Sequence, residues 1–327
     1  MLKWERADEH AWEPFGSAMQ IELQASLDDT GRVIYWNHET FSDTHMSRPS
    51  AHRENSRLLA AWHLQSPRPA PPVKPTPGFH TGIHRNADPI YDFADRRVVK
   101  HLVHDLPLRV SALRSLGAYA NVFAIESFMD ELAHFRDMDP LEFRLAHLSD
   151  NRARAVLEAA TSKANSGFSS ADDGHGRGLA VARYKNSKCY VAVVIDLIVD
   201  DYGAIQLLRA VIAADAGQIV DPDGLRNQLE GGLIQSASWT LKEQVKFDDK
   251  GIVSRDWESY PILTFAEVPE IETVLIDRPD QPFLGSGEAT QGPTAAAIGN
   301  AIFYAIGLRL RRIPFTQDRV RDAAAEV

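Results

Sequence analysis

From Tyr190 to Val199 every residue is apolar except Asp196, a run that reads as a strand buried along most of its length. Asp200-Asp201-Tyr202-Gly203 then turns the chain, and a second apolar run returns from Ile205 to Ala213. This hairpin constrains the chain more than any other stretch, because its first strand has to lie inside a core. With 327 residues the chain is long enough to build one, in one to three domains.

Helical signals lie on both sides of the hairpin. Val122, Ile125, Phe128, Met129, Leu132 and Phe135 keep a three-to-four spacing and predict a helix from about Asn121 to Arg136. Asp139-Pro140 is an N-cap followed by a first-turn proline, opening a second helix through Leu141, Leu145 and Leu148. A third is predicted over Arg152 to Ala160. After the hairpin, Asp221-Pro222-Asp223 starts a helix whose stripe is Leu225, Leu229, Leu233, Ala237 and Leu241. Gly231-Gly232 interrupts it, at a cost of roughly 1 kcal/mol each relative to alanine. Close approach of a bound group and a helix–helix contact both account for that pair. The last long helix is predicted from Thr294 to Ile306, closed by Gly307.

Other segments read as strands or irregular chain. Met19, Ile21, Leu23, Ala25 and Leu27 alternate with polar residues, Asp28-Asp29-Thr30-Gly31 turns, and Val33 to Trp36 returns, giving a hairpin within 18–42. Val245 to Val253, Ser259 to Phe265 and Glu272 to Ile276 are strand-like. Pro67, Pro69, Pro71, Pro72, Pro75 and Pro77 make 66–89 either a linker or an extended arm over a partner. Thr161 to Gly178, with Gly174, Gly176 and Gly178, reads as a flexible connector. It divides a first α+β region (1–165, with the proline-rich arm at 66–89 and helices within 121–160) from a second (175–327). Local strands with separate helices predict the α+β class, not a doubly wound sheet.

Several function classes are excluded. A net charge of −10 argues against a nucleic-acid or anionic-membrane binder. The lone Cys189, read as a core or near-core residue, rules out an intrachain disulfide and an iron–sulfur cluster held by this chain alone. No apolar run reaches the length of a membrane span, and the charged start, Met1 to Glu9, reads as neither a secretory nor a twin-arginine signal. The expected location is cytoplasmic, the alternative being periplasmic by export with a partner. His80, His84, His101 and His104 lack neighbouring thiols or clustered carboxylates, so they read as ordinary surface or core histidines and no metal ligand is assigned.

One stretch carries chemistry. Pro282-Phe283-Leu284-Gly285-Ser286-Gly287-Glu288 joins a strand-like run to the last helix, and glycines let its backbone turn sharply. A carboxylate on such a turn either faces solvent or is pushed into a cleft, where desolvation fits it for general acid–base work.

Several segments, in one order along the chain, resemble the molybdenum hydroxylases, the xanthine dehydrogenase and aldehyde oxidase family. They are Pro107 to Gly117, Glu126 to Ala133, Asp139 to Leu145, Asp215-Ala216-Gly217, Gln228 to Gly232, Gly285-Ser286-Gly287-Glu288 and Gly299 to Ile302. The likeness is greatest to the C-terminal half of the molybdopterin-binding large subunits of isoquinoline 1-oxidoreductase-like and nicotinate dehydrogenase-like enzymes. The resemblance implies a molybdenum cofactor-binding fold with mixed sheets and separate helices. It implies that Glu288 is the base that deprotonates a hydroxyl on molybdenum as oxygen attacks an electron-poor carbon. Gln228, Arg114 and Gly287 are implied to bind the molybdopterin cofactor, the cytosine dinucleotide being one form it can take. Leu116 is placed near the substrate, where an aromatic is usual in xanthine-type members. The family's glycine-rich cofactor loops are absent here. The expected partners are therefore the N-terminal half of the molybdopterin subunit and a ferredoxin-like small subunit carrying 2Fe-2S iron–sulfur clusters. The competing expectation is a non-catalytic remnant or assembly module without cofactor.

Overall fold

The computed structural model describes residues 1–45, 47, 58–166 and 174–326. A short helix, α1 (Arg6–Trp12), precedes the first sheet. Strand β1 (Met19–Leu27) alternates half-buried and exposed residues, as its period-two pattern requires of a strand with one wet face. Asp28 makes the turn: its Oδ1 accepts from Thr30 N and Arg32 N, both at 2.9 Å. β2 (Val33–Ser42) returns antiparallel to β1 and pairs on its other edge, in parallel, with β3 (Asp95–Leu102). Patterning does not reveal β3, whose opening Asp95, Arg96 and Arg97 are exposed and charged, as suits an edge strand. Between β2 and β3 lie one helical turn, α2 (Leu59–Trp62), and the proline-rich stretch, irregular up to a tight turn at Gly82–His84.

Three helices follow: α3 (Ala118–Phe135), α4 (Pro140–Ala146) and α5 (Asn151–Asn165). Asp139 caps α4 as its sequence implies, accepting from Leu141 N at 2.8 Å and Glu142 N at 3.1 Å. α5 runs beyond the predicted Ala160 because Ala160 and Ala164 extend its buried stripe. Of the connector predicted over 161–178, residues 167–173 lie outside the described residues. From His175 onward that prediction is corrected. β4 (His175–Arg183) is a strand, and Gly176 and Gly178 are there to let another backbone in. A Cβ on either would overlap the carbonyls of Ala301 and Ala297.

β5 (Tyr190–Val199) and β6 (Ile205–Asp215) form the expected hairpin, and the second sheet runs β4-β5-β6 with a last strand, introduced below. α6 (Pro222–Leu241) starts where Asp221 accepts from Gly224 N at 3.0 Å. The strand expected over 245–253 is instead a two-residue hairpin, β7 (Phe247–Asp248) and β8 (Gly251–Ile252), and the one expected over 259–265 is corrected to turn and irregular chain. The physical reason is local capture of backbone donors. Asp248 Oδ1 accepts from Lys250 N at 2.8 Å, Ser259 Oγ from Arg255 N at 2.8 Å, and Asp256 Oδ1 from Ser259 N at 2.9 Å. β9 (Glu270–Leu275) then adds to β6 in parallel. α7 (Gln291–Ile306) ends at Gly307, which takes φ +75° as a left-handed cap should. α8 (Gln317–Ala325) closes the described chain.

Burial explains the arrangement. Val191, Val193, Ile195 and Leu197 of β5 pack with the stripes of α6 and α7. Tyr190, Ala192 and Val194, on the opposite face, pack with α3 and α5. The strand is therefore covered on both sides, as its unbroken apolar run demands. Mixed sheets with separately packed helices make the fold α+β. Among the described residues no helix is long and apolar enough to cross a membrane.

Candidate active site

β6 and β9 run parallel, so both point their carboxyl ends the same way, and the loops leaving them interlock. Leu284 N donates to Ala216 O at 2.7 Å, Gln218 N to Gln281 O at 3.0 Å, and Arg278 N to Gly217 O at 3.2 Å. Gly217 takes φ +70°. A Cβ there would overlap Pro282 O, which is why the Asp215-Ala216-Gly217 motif needs its glycine. Asp215 anchors the junction. It is fully buried, and its carboxylate accepts from Arg152 Nε at 2.9 Å, Gly217 N at 3.0 Å and Arg278. Burial opposes its charge, but these donors outweigh burial and hold the carboxyl below the usual range.

Held this way, 282–288 presents Glu288 to three other stretches. Glu288 Oε1 accepts from Ser115 N at 2.8 Å. Oε2 accepts from the Tyr184 hydroxyl and lies 3.7 Å from Arg85 Nη1. Arg85 Nη1 also donates to the Tyr184 hydroxyl, at 2.6 Å. The side chain of Glu288 is 33% exposed. It is neither the free solvent-facing glutamate nor the lone desolvated carboxylate that its sequence surroundings allow. Burial first, and the Glu288 hydrogen bond second, push the Tyr184 phenol well above its ordinary value, so the hydroxyl stays protonated as the donor.

The four residues singled out from sequence come together. Arg114 Nε donates to Gly287 O at 2.6 Å, and its Nη2 to the Gln228 side-chain oxygen at 3.1 Å and to Gln228 O at 3.3 Å. One guanidinium thus ties the glycine loop to the first half of α6. Burial lowers its pKa somewhat, while Glu288 opposes that shift. Gln291, fully buried at the start of α7, completes the cluster. With its amide turned to satisfy both ends, it donates to Glu288 O at 3.1 Å and accepts from Arg114 Nε at 2.9 Å. The paired glycines of α6 divide their roles. A Cβ on Gly232 would overlap Thr290 Oγ1, whereas one on Gly231 meets no atom within 4 Å.

Ser115 and Leu116 take φ +80° and +51°, a region that side chains other than glycine rarely occupy. That bend aims Ser115 N at the carboxylate and leaves Leu116 lining a cleft of about 1160 Å³. The cleft's walls come from α1, 13–19, 106–116, α3, the later turns of α6 and 309–319. It reaches the cluster through Leu116, Arg114 and Gln235; Glu288 does not line it. Sequence patterning misses Arg85, Tyr184, Ser115 and Gln291. The signals available were the Gly82-Ile83-His84-Arg85 turn closing the proline-rich stretch and the tyrosine that follows β4. Two of the four histidines weighed as ligands have other partners: His84 Nε2 contacts Gly78 O at 2.7 Å, and His101 Nε2 contacts Glu39 Oε2 at 2.7 Å.

Two family models, each described as a molybdopterin cofactor-binding domain, match residues 71–148 and 120–269. The chain is 39% identical to a nicotinate dehydrogenase subunit of Pseudomonas putida, over 97% of this chain and 27% of that protein. It is 27% identical to the beta subunit of isoquinoline 1-oxidoreductase of Brevundimonas diminuta, over 95% of this chain and 38% of that protein. The chain therefore spans well under half the length of these curated relatives. In fold it matches quinoline 2-oxidoreductase from Pseudomonas putida 86, with a TM-score of 0.76 at 12% identity, over 99% of this chain and 64% of that one. Aldehyde oxidoreductase from Desulfovibrio gigas matches with a TM-score of 0.74 at 16% identity, over 99% of this chain and 51% of that one. Two models of one kind of cofactor-binding domain, with relatives matched along nearly all of this chain, place it in the molybdenum hydroxylase family, the molybdopterin-binding oxidoreductases that include xanthine dehydrogenase and aldehyde oxidase.

Proposed function

We propose that this chain is part of the molybdopterin-binding catalytic subunit of an enzyme that hydroxylates an N-heteroaromatic or aldehyde carbon with oxygen from water, Glu288 serving as the base. The observation that carries this reading is a carboxylate on a glycine turn, held at both oxygens yet still a third open. The residues present fit the cofactor. Gly231 and Gly285 border open space, with no atom within 4 Å of a Cβ on either, and the Gln228 amide is exposed. A planar group with ring donors and acceptors can lie there, with Arg114, Gln228 and the backbone of Gly287 holding it. When bound, that group supplies Lewis-acid and redox chemistry.

The protein supplies position and a proton acceptor. Ser115 N and the Tyr184 hydroxyl occupy only part of the acceptor capacity of Glu288, which leaves lone pairs to take a proton as the new C–O bond forms. The names of the two curated relatives support an N-heteroaromatic ring as substrate. We expect electrons to leave by a partner, since the one thiol among these residues, Cys189, is fully buried and a single thiol holds no iron–sulfur cluster. A 2Fe-2S ferredoxin-like subunit and the remaining part of the molybdopterin subunit are the partners this reading requires.

Glu288→Gln in the molybdenum-loaded complex is the test. We expect kcat to fall roughly 10²–10⁴-fold, as loss of a general base does, with molybdenum content unchanged. Unchanged turnover would remove Glu288 from this role.

A further inference from the structure

We propose that Arg85 and Tyr184 are positioning residues for Glu288, a two-member clamp on the carboxylate oxygen that Ser115 does not hold. The proposal rests on the reading of Glu288 as the base. Its first support is the relay of contacts itself, from Arg85 Nη1 to the Tyr184 hydroxyl at 2.6 Å and from that hydroxyl to Glu288 Oε2. The guanidinium lies 3.7 Å from the same oxygen and 5.6 Å from the Tyr184 ring centre. A tyrosine held on one side by a cation and on the other by a carboxylate has one orientation available to its hydroxyl.

The second support is the effort with which both residues are fixed. The 82–86 loop seats on α3: Asn121 Nδ2 donates to Ile83 O at 2.8 Å and to Arg85 O at 3.0 Å. Gly117 lets it approach, since a Cβ there would overlap Ile83 O. The Tyr184–Asn186 turn locks onto that loop. Asn86 Nδ2 donates to Arg183 O at 2.8 Å and to Asn186 Oδ1 at 2.9 Å, and Lys185 N donates to Asn86 Oδ1 at 2.8 Å. Asn86, Lys185 and Asn186 take φ +59°, +52° and +49°. Three left-handed residues in one contact are a costly way to join two loops, and they cluster where a side chain has to be aimed. Arg85 is 8% exposed, and its Nε donates to His80 O at 3.3 Å.

The charged and titratable groups facing Glu288 are Arg85 from the 82–86 loop, Tyr184 from the turn after β4, and Arg114 from the stretch before α3. Tyr184→Phe removes one donor and leaves the ring. In the molybdenum-loaded complex we expect kcat to fall about tenfold with little change in KM. A second readout needs no cofactor: the carboxyl ¹³C signal of Glu288 in this chain, identified by its loss in Glu288→Gln, changes position at a fixed pH in Tyr184→Phe, because the carboxylate has lost a donor. Arg85→Met moves both readouts the same way, and Arg85→Lys restores part of the change. A folded Tyr184→Phe protein whose Glu288 signal and kcat both stay in place overturns the clamp. If Glu288→Gln keeps its turnover, the reading of the base falls instead, and the carboxyl signal still judges the clamp.

Discussion

At the scale of single residues, one group that is costly to disturb lies outside the candidate site. Glu126 is 1% exposed, and its carboxylate accepts from the Tyr91 hydroxyl at 2.6 Å, Arg144 Nε at 2.9 Å and Val181 N at 3.0 Å. Glu126→Ala leaves the fully buried Arg144 short of its partner, and removing one member of such a pair costs about 3–5 kcal/mol. A lower urea midpoint with little change in slope checks this. The two glycines of α6 give an opposite pair of outcomes. Gly232→Ala forces Thr290 aside and is expected to destabilise by about 1–3 kcal/mol. Gly231→Ala fills only open space in a helix interior and is expected to stabilise the cofactor-free chain by up to about 1 kcal/mol. Thermal midpoints moving in the same direction for both variants would contradict that division.

At the scale of elements, what sequence shows and what it hides separates by range. The cap of Asp139, the stripe of α6 and the left-handed stop at Gly307 are local signals, and the structure contains each. So is the glycine turn of Glu288. Tyr184 stands 104 residues from the carboxylate it donates to, and no periodicity encodes such a pairing. β4 is hidden for a related reason. Its glycines look like flexible chain until α7 is laid across them, and only then do they read as positions where two backbones meet. Gly178→Ala drives a methyl into Ala297 O and the N–H of Ala301, so the sheet and helix have to part. We expect a loss of about 2 kcal/mol or more, or insoluble expression, against near-neutral behaviour for Ser166→Ala at the exposed end of α5.

At the scale of the whole molecule, acid ought to loosen the protein before it reaches most carboxylates. Burial lowers His38 to about 4 from an ordinary 6.5, and burial with the Arg85 charge does the same to His45. Both are neutral in the fold, so between pH 6.5 and 4 the unfolded chain binds protons that the folded chain refuses. Their contribution is complete above pH 6.5 and fades as pH falls toward 4. Urea midpoints measured across that window should fall with pH, and less steeply in His38→Gln. Metal content tests the molecule's place in a larger assembly. About one molybdenum per chain only when the proposed N-terminal partner is co-expressed supports the cofactor reading. A folded protein with none under either condition supports an assembly module.

The interlocked loops after β6 and β9 also set where the chain can accept extra length. Three backbone hydrogen bonds hold 216–218 against 278–284, so one inserted residue on either side throws the facing donors and acceptors out of step. The small β7–β8 turn at 248–251 is exposed, and it can absorb an inserted tag or epitope. Lineages that lengthen this protein should therefore do so at that tip or in the proline-rich stretch, and keep the two loops at the sheet's end at constant length.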